Sequence, residues 1–460
     1  MKKQLELFKK KENDNSLNRR NFLKKASIGG FGMGLLGTVG SKESLAADFK
    51  ESSNSKIKIT DLKCAVIGSN PVVRIVTDAG LSGYGQIESS KPYLKSHVLF
   101  YKDYLLGEDP TNVERVMMKI RRMGSFKPWG SSVSAIEMAL WDLAGKAANL
   151  PVYKLMGGKI RDQVRAYNGS VQDIRFPWQG TSAQHYADWG DKVRNSKEGF
   201  TIVKEAAAFH SRMPREIANF DFRNVSQSPD SKADRTLHRA PLTTQGFKAI
   251  IDHAEGLRKG LGDDFNLALD LGPGFMLSDA IRVANALEPY NFMWLEDMLT
   301  GDYTPYVLAD DYRELTQSTN VPIHTGEQLY LRQNHRELID RHAVDVLGPD
   351  PADIGGIAEM KWVAQHADLY GILFAPHGTF NGLLGLAAQV QVGATMPENY
   401  IAFEYPAGNP TWWYDIVEGL PDPIIKDGLI NVMERPGMGV DFNIKAAKKY
   451  LSNEDKNFFD

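Results

Sequence analysis

Between residues 161 and 406 short apolar runs alternate with longer stretches of helical periodicity. Eight runs recur: Val164–Asn168, Thr201–Glu205, Leu267–Asp270, Phe292–Glu296, Val321–Glu327, Val344–Asp350, Gly371–His377 and Ile401–Glu404. Each closes on a polar or charged residue. Strands buried on both faces read as such unbroken runs, which is the pattern of a parallel sheet covered by helices. Eight β/α units of this length predict a closed barrel rather than an open sheet. A doubly wound sheet would carry a glycine-rich phosphate turn after its first strand, and Asn168-Gly169-Ser170 is not that fingerprint. After the second run, residues 206–244 break the rhythm with crowded Pro, Asn, Asp, Ser and Arg. An insert that long inside a compact domain is usually functional, and here it is expected over the barrel mouth.

Upstream the periodicity changes. Lys56–Ile67 and Val72–Asp78 read as paired strands around a Gly68-Ser69-Asn70-Pro71 turn, with a third short strand near Tyr84–Glu88. Helical patterns follow at Pro92–Leu106, Val113–Met123 and Ser131–Asn149; in the last, Val133, Ile136, Leu140, Leu143 and Ala147 recur at helical spacing. Residues 56–160 are therefore expected to form an α+β domain of three strands and three helices. A chain of 460 residues is too long for one ordinary core, which fits this division.

The first 46 residues read as an address. A charged stretch, Asn18-Arg19-Arg20-Asn21-Phe22-Leu23-Lys24, precedes a weakly apolar one from Ala26 to Gly40 and the small residues of Ser44-Leu45-Ala46. This resembles a twin-arginine export signal, which implies the twin-arginine export machinery as a partner and a periplasmic or otherwise exported product. A stable membrane anchor would need about 20 strongly apolar residues, and this stretch is shorter and glycine-rich. Ten basic and four acidic residues give this segment +6, so a chain total of −3 leaves −9 for the rest. Nucleic acid needs a concentrated basic footprint, so it is not an expected partner. The single cysteine, Cys64, lies in an apolar run; it excludes an intramolecular disulfide and any cysteine-based metal cluster.

The chemistry gathers at the ends of the later runs. Asp270, Glu296 and Glu327 follow one another at spacings of 26 and 31 residues, one β/α unit each, so they are expected at the same C-terminal rim. Three converging carboxylates repel one another and call for a cation, and all-oxygen ligation suits one Mg²⁺. Asp350 and His377, 27 residues apart, end the next two runs. That places an acid beside an imidazole, raising its basicity and orienting it as a general base. Glu404 adds a carboxyl from the eighth run.

At this point the chain, from about Lys56 to Asn443, resembles the enolase superfamily, mandelate racemase-type subgroup. Ser134-Ala135-Ile136-Glu137-Met138-Ala139-Leu140-Trp141-Asp142 with Pro151-Val152-Tyr153-Lys154-Leu155-Met156-Gly157-Gly158 is similar to the family's domain-joining helix; Asp270/Glu296/Glu327, Asp350 with His377, and Glu404 match its ligand, dyad and acid positions. The resemblance implies an N-terminal α+β capping domain (56–160), a modified TIM-type (β/α)7β barrel (161–406) and a C-terminal segment (407–460) returning to the capping domain, in a homo-oligomer. It also implies removal of the proton α to a carboxylate with stabilisation of the enediolate. His377 is then the base, Asp350 its orienting partner, and Glu404 a hydrogen-bonding group for the substrate.

The departures from the family pattern bear on the reaction. Where the subgroup ends its second strand in Lys-x-Lys, this chain reads Val203-Lys204-Glu205-Ala206. Either Ala206 replaces the second base or a shift of two residues makes Lys204 that base, with His210 as a further substitute; Lys204 and His210 are also expected to bind substrate. Gly272 stands where some acid-sugar dehydratases carry histidine. A racemase needs two opposed acid/base groups, whereas a dehydratase can use His377 alone. The expected activity is thus Mg²⁺-dependent dehydration of an acidic sugar, with a racemase, epimerase or cycloisomerase as alternative. A non-catalytic exported binding protein is the third reading.

Overall fold

The structure, a computed structural model, describes residues 57–89, 91–123, 130–169, 174–176, 182–222, 241–299, 308–378, 382–405 and 413–460. The export signal expected at 1–46 and the middle of the 206–244 insert lie outside the described residues.

Three strands, β1 (Ile59–Ile67), β2 (Asn70–Thr77) and β3 (Ser82–Gln86), pair antiparallel in that order. The register sets Leu62 opposite Ile75 and Cys64 opposite Val73. Those four side chains pack with Val116 and Ile120 of α1 (Val113–Met123) and Ile136 and Leu140 of α2 (Gly130–Ala148) in one core. The helix expected over 92–106 is divided, a 3-10 turn at Pro92–Leu94 leading to Lys95–Phe100 and Lys102–Leu105, with the buried ring of Tyr101 at the break. The other face of the sheet meets the C-terminal segment. There Tyr84 lies edge-on to Phe442 with ring centres 5.0 Å apart, Ile67 bridges to Leu451, and Arg74 donates to the carbonyl of Phe458 at 2.7 Å.

The barrel strands are β4 (Gln163–Asn168), β5 (Ile202–Ala206), β6 (Asn266–Asp270), β7 (Leu295–Glu296), β8 (Ile323–Thr325), β9 (Val346–Leu347), β10 (Leu373–Phe374) and β11 (Phe403–Tyr405). Their pairings with one another are parallel, in the order β10-β9-β8-β7-β6-β5-β4-β11, and Leu429–Asn431 of the C-terminal segment adds to β4 antiparallel. Backbone bonds from Phe374 N to Asn399 O (2.9 Å), Ile401 N to Phe374 O (2.8 Å) and Glu404 N to Pro376 O (2.8 Å) close the ring between β10 and β11. Helices α3 (Ala183–Arg194), α4 (Thr244–Leu261), α5 (Leu277–Leu287), α6 (Ala309–Gln317), α7 (Leu331–Asp340), α8 (Ile357–Leu369) and α9 (Gly382–Gly393) follow the first seven strands in turn. Ser182 and Thr243 cap α3 and α4 through side chains that accept from His185 N and Gly246 N. Every residue of α9 is buried, as a helix apolar on all sides must be. The α/β class with an N-terminal α+β domain and a TIM-type barrel is the architecture the sequence predicts.

Inside the ring Tyr167, Ile202, Ala268, Trp294, Val346, Ala375 and Ala402 form a separate buried layer. The rings of Tyr167 and Trp294, edge-on with centres 5.4 Å apart, share this layer with Ile202, Val346 and three alanines, so the barrel is filled rather than open below the mouth. The strand ladders are shorter than the apolar runs. Gly326 at φ +130° turns the chain before Glu327. Pro349 and Pro376, which have no N–H to donate, precede Asp350 and His377. These three residues therefore sit in the rim loops, while Asp270, Glu296 and Glu404 remain in strands. Among the described residues no helix is long and apolar enough to cross a membrane.

Candidate active site

Strand alternation sends Lys204, Asp270, Glu296 and Glu404 into the barrel above the apolar layer. Lys204 Nζ lies 2.5 Å from Glu296 Oε1, 3.4 Å from Glu404 Oε1 and 3.5 Å from Asp270 Oδ2. Burial alone would push the Lys204 ammonium down, but Glu296, Glu404 and Asp270 outweigh it and hold its pKa well above the usual lysine value. Ala206 is the residue in register with Asp270 at the rim, two positions above Lys204.

Glu296 has no exposed surface. Its carboxylate also accepts from Trp294 Nε1 at 2.9 Å and faces His324 Nδ1 at 3.4 Å. Burial pushes the Glu296 carboxyl up, yet Lys204 and His324 together bring it below the usual carboxylate value. Glu327 goes the other way: burial, and then Asp270 and Glu296, raise it against the pull of His377.

One group of acids among the described residues can hold a metal ion: Glu296, Asp297 and Glu327, all buried, with ligand atoms within 4.8 Å of one another. Two of them are acids singled out from the sequence. Asp270, in register with Glu296, lies beside this group with its carboxylate turned to Lys204 and to His210 Nδ1 at 3.3 Å. Strand alternation would point Asp297 away from Glu296, but φ +50° at Asp297 breaks the alternation. The adjacent pair Glu296-Asp297 was the signal available in the sequence. Gly272 is tied to the same residue: a Cβ there would lie 2.2 Å from Asp297 O and 2.4 Å from Asp297 Cβ, so no histidine fits on this backbone.

Across the mouth, His377 Nδ1 is 2.6 Å from Asp350 Oδ2, while Nε2 faces Glu327 Oε2 at 3.3 Å and Glu404 Oε2 at 3.4 Å. Burial works against a charged ring, but Glu327, Glu404 and Asp350 overcome it and raise His377 well above the usual histidine value. His210 ends the 3-10 turn Ala208–His210. Bonds from Ala207 N to Asp270 O (2.8 Å) and Phe209 N to Leu271 O (3.2 Å) fix this turn against the extension of β6. Strand β6 is four places from β10 either way round the ring, so His210 and His377 stand over opposite walls.

The fold, with acids and a histidine–aspartate pair at the C-terminal mouth of a parallel barrel, defines an enzyme site. Residues 61–157 match the mandelate racemase / muconate lactonizing enzyme N-terminal domain, and residues 222–447 match the enolase C-terminal domain-like family. The chain is 30% identical over 421 residues to a D-xylonate dehydratase of Haloferax volcanii, an alignment spanning 88% of this chain and 91% of that one. It is 25% identical over 383 residues to a D-galactonate dehydratase of Ralstonia pickettii, spanning 81% and 88%. A mandelate racemase/muconate lactonizing enzyme-like protein from Rubrobacter xylanophilus superposes with a TM-score of 0.71 at 29% identity, over 87% of this chain and 99% of that one. The chain belongs to the enolase superfamily and is an enzyme of the hydro-lyase type.

Proposed function

We propose that this protein is a Mg²⁺-dependent dehydratase of an aldonate-type sugar acid, giving the 2-keto-3-deoxy acid. The observation that carries this reading is the pair His377–Asp350, 2.6 Å apart, facing a wall of acids that has no lysine at position 206. The dehydratase relatives support the same substrate class.

Glu296 and Glu327, with Asp270 and Asp297 on either side, are the residues that would hold Mg²⁺. Their donors are all oxygen and buried, which suits a hard divalent ion. When bound, the ion offsets the negative charge that builds on the substrate carboxylate as the α-proton leaves. Asp350 accepts from Nδ1–H of His377, which leaves Nε2 to take that proton. The C–H electron pair then expels the β-hydroxyl, and His377 returns the proton to it, so that water departs. The resulting enol tautomerises to the 2-keto acid. Glu404, at 3.4 Å from Nε2, lies within reach of the same substrate oxygens. Lys204 helps to hold the Glu296 carboxyl below the usual carboxylate value beneath them.

Incubation with Mg²⁺ and a panel of aldonates that includes D-xylonate and D-galactonate is expected to yield a 2-keto-3-deoxy acid from at least one. If none forms while the α-proton exchanges with D₂O, dehydration is wrong and an epimerase takes its place. The position of His210 over the wall opposite His377 is what favours that second reading.

Metal binding should also depend on pH in a defined direction. Glu327 is raised above the usual carboxylate value and must lose its proton to bind a cation. Affinity for Mg²⁺ is therefore expected to fall as pH drops from neutral into the mildly acidic range, with proton release on binding. Titration calorimetry in buffers of different ionisation heat reads this directly. Affinity that stays flat across this range, with no proton released, would remove Glu327 from the ligand set.

A further inference from the structure

Helix α2 of the capping domain carries Ser131, Ser134 and Glu137 at three-residue intervals, which puts them on one face. All three are buried, with at most 1% of their surface exposed. Buried polar side chains need partners, and these have them in a single stretch of the barrel, Asp353–Ala358. Ser131 Oγ donates to Asp353 Oδ1. Ser134 Oγ accepts from Gly355 N at 2.9 Å. Glu137 accepts from Ile357 N and Ala358 N, each at 2.9 Å. The contacts advance together along helix and loop, so the helix face acts as a template for the loop. Gly356 completes the fit: at φ +107°, a Cβ there would lie 2.1 Å from Glu137 Oε2.

That loop begins at Asp350. Asp350 Oδ1 accepts from Ala352 N at 2.6 Å, and its carbonyl accepts from Asp353 N at 3.0 Å and Ile354 N at 2.8 Å. Asp350 and Asp353 are thus the two ends of one tight turn. A second capping-domain group grips the far end: Lys91 Nζ reaches Asp353 Oδ1 at 3.2 Å and Oδ2 at 3.1 Å, and pairs with Glu88. Glu88, Asp350 and Asp353 are like charges in one region, and Lys91 counters two of them.

We propose that the capping domain positions the catalytic base: Lys91 and Ser131 fix Asp353, the Asp353 turn fixes Asp350, and Asp350 fixes His377. Lys91 and Ser131 are positioning residues that touch no substrate. The functional part of the claim rests on His377 being the base proposed above; the geometric part does not.

The test is Lys91→Met, Lys91→Arg and Ser131→Ala in the full-length protein, read two ways. The first is the downfield proton resonance of the His377 Nδ1–H···Asp350 bond, assigned by its loss in His377→Asn. The second is the separation of kcat from KM on an aldonate that is turned over. Lys91→Met is expected to shift or broaden the resonance and to lower kcat about tenfold or more with KM nearly unchanged, since small displacements of catalytic groups cost up to about 100-fold. Lys91→Arg should restore both, and Ser131→Ala should move both in the same direction by less. Ser131→Ala carries the test if Lys91→Met does not fold. An unchanged resonance in the variants overturns the proposal, as does its absence from the wild type. So does a loss of activity that only tracks a loss of folded protein. If wild type turns over no aldonate while the resonance responds as expected, the proposed function fails and the positioning stands.

Discussion

His377→Asn is expected to lower kcat on the aldonate substrate by about 10²–10⁴-fold, the usual contribution of a positioned general base. Asparagine can still donate to Asp350, so the 2.6 Å contact has a stand-in and the fold is kept. What disappears is the second ring nitrogen, which faces Glu327 and Glu404 at 3.3 and 3.4 Å. In the mechanism proposed here the same nitrogen removes the α-proton and returns it to the departing hydroxyl. Dehydration and α-proton exchange should therefore fall together, while KM changes little. Steady-state kinetics with exchange followed in D₂O measures both. Retention of more than about a tenth of wild-type kcat would sink the assignment of His377 as the base, because it falls short of the smallest effect expected for one. Loss of dehydration with exchange intact would mean that His377 serves only the leaving group.

The second large effect concerns stability. Glu137→Ala is expected to cost about 3–5 kcal/mol of unfolding free energy, in the range for breaking a buried hydrogen-bond network that leaves several donors unpaired. The side chain has no exposed surface and its two oxygens accept three N–H groups: Ile357, Ala358 and, at 2.7 Å, Trp141 Nε1. Two of these donors open helix α8, where the first backbone N–H groups have no partner within the helix. Alanine leaves all three unpaired in the interface between the capping domain and the barrel, at about 1–3 kcal/mol for each orphaned group before relaxation. Chemical denaturation of the two proteins side by side gives the difference; a loss below about 1 kcal/mol would show that the interface relaxes around the vacancy. The pH dependence has a definite sign. Burial pushes the Glu137 carboxyl from 4.5 to about 8 against the pull of its N–H donors. A raised folded value means that the contribution is complete below the unfolded value and is lost as pH rises through the folded one. Wild type should therefore weaken between about pH 4.5 and 8, and Glu137→Gln, which cannot ionise, should flatten that slope.

The barrel was legible because parallel strands buried on both faces leave continuous apolar runs, and all eight runs contain a strand. Where each strand stops was less legible. Gly326, Pro349 and Pro376 end the pairing early, so Glu327, Asp350 and His377 stand in loops. Among the acids, Asp297 escaped notice because period-two alternation assigns it to the outside, and only its positive φ brings it back. The polar face of α2 was hidden for a different reason. Val133, Ile136, Leu140 and Leu143 mark one buried side of that helix. Nothing local says that Ser131, Ser134 and Glu137 are buried too, because their partners lie some 220 residues away. Lys204 shows the same limit. Its position in the second run was readable, but its three carboxylate partners, on β6, β7 and β11, meet it only once the ring closes.

The contact between Gly272 and Asp297 bears on how this enzyme could change. Replacing Gly272 with histidine is a single change in the sequence. Here that single replacement would drive a side chain into the backbone of Asp297, which itself belongs to the acid cluster. A side chain at 272 could be accommodated only after residue 297 had moved, and moving it would disturb the acid cluster. Substitution at 272 and adjustment at 297 are therefore coupled through the space between two neighbouring strand ends.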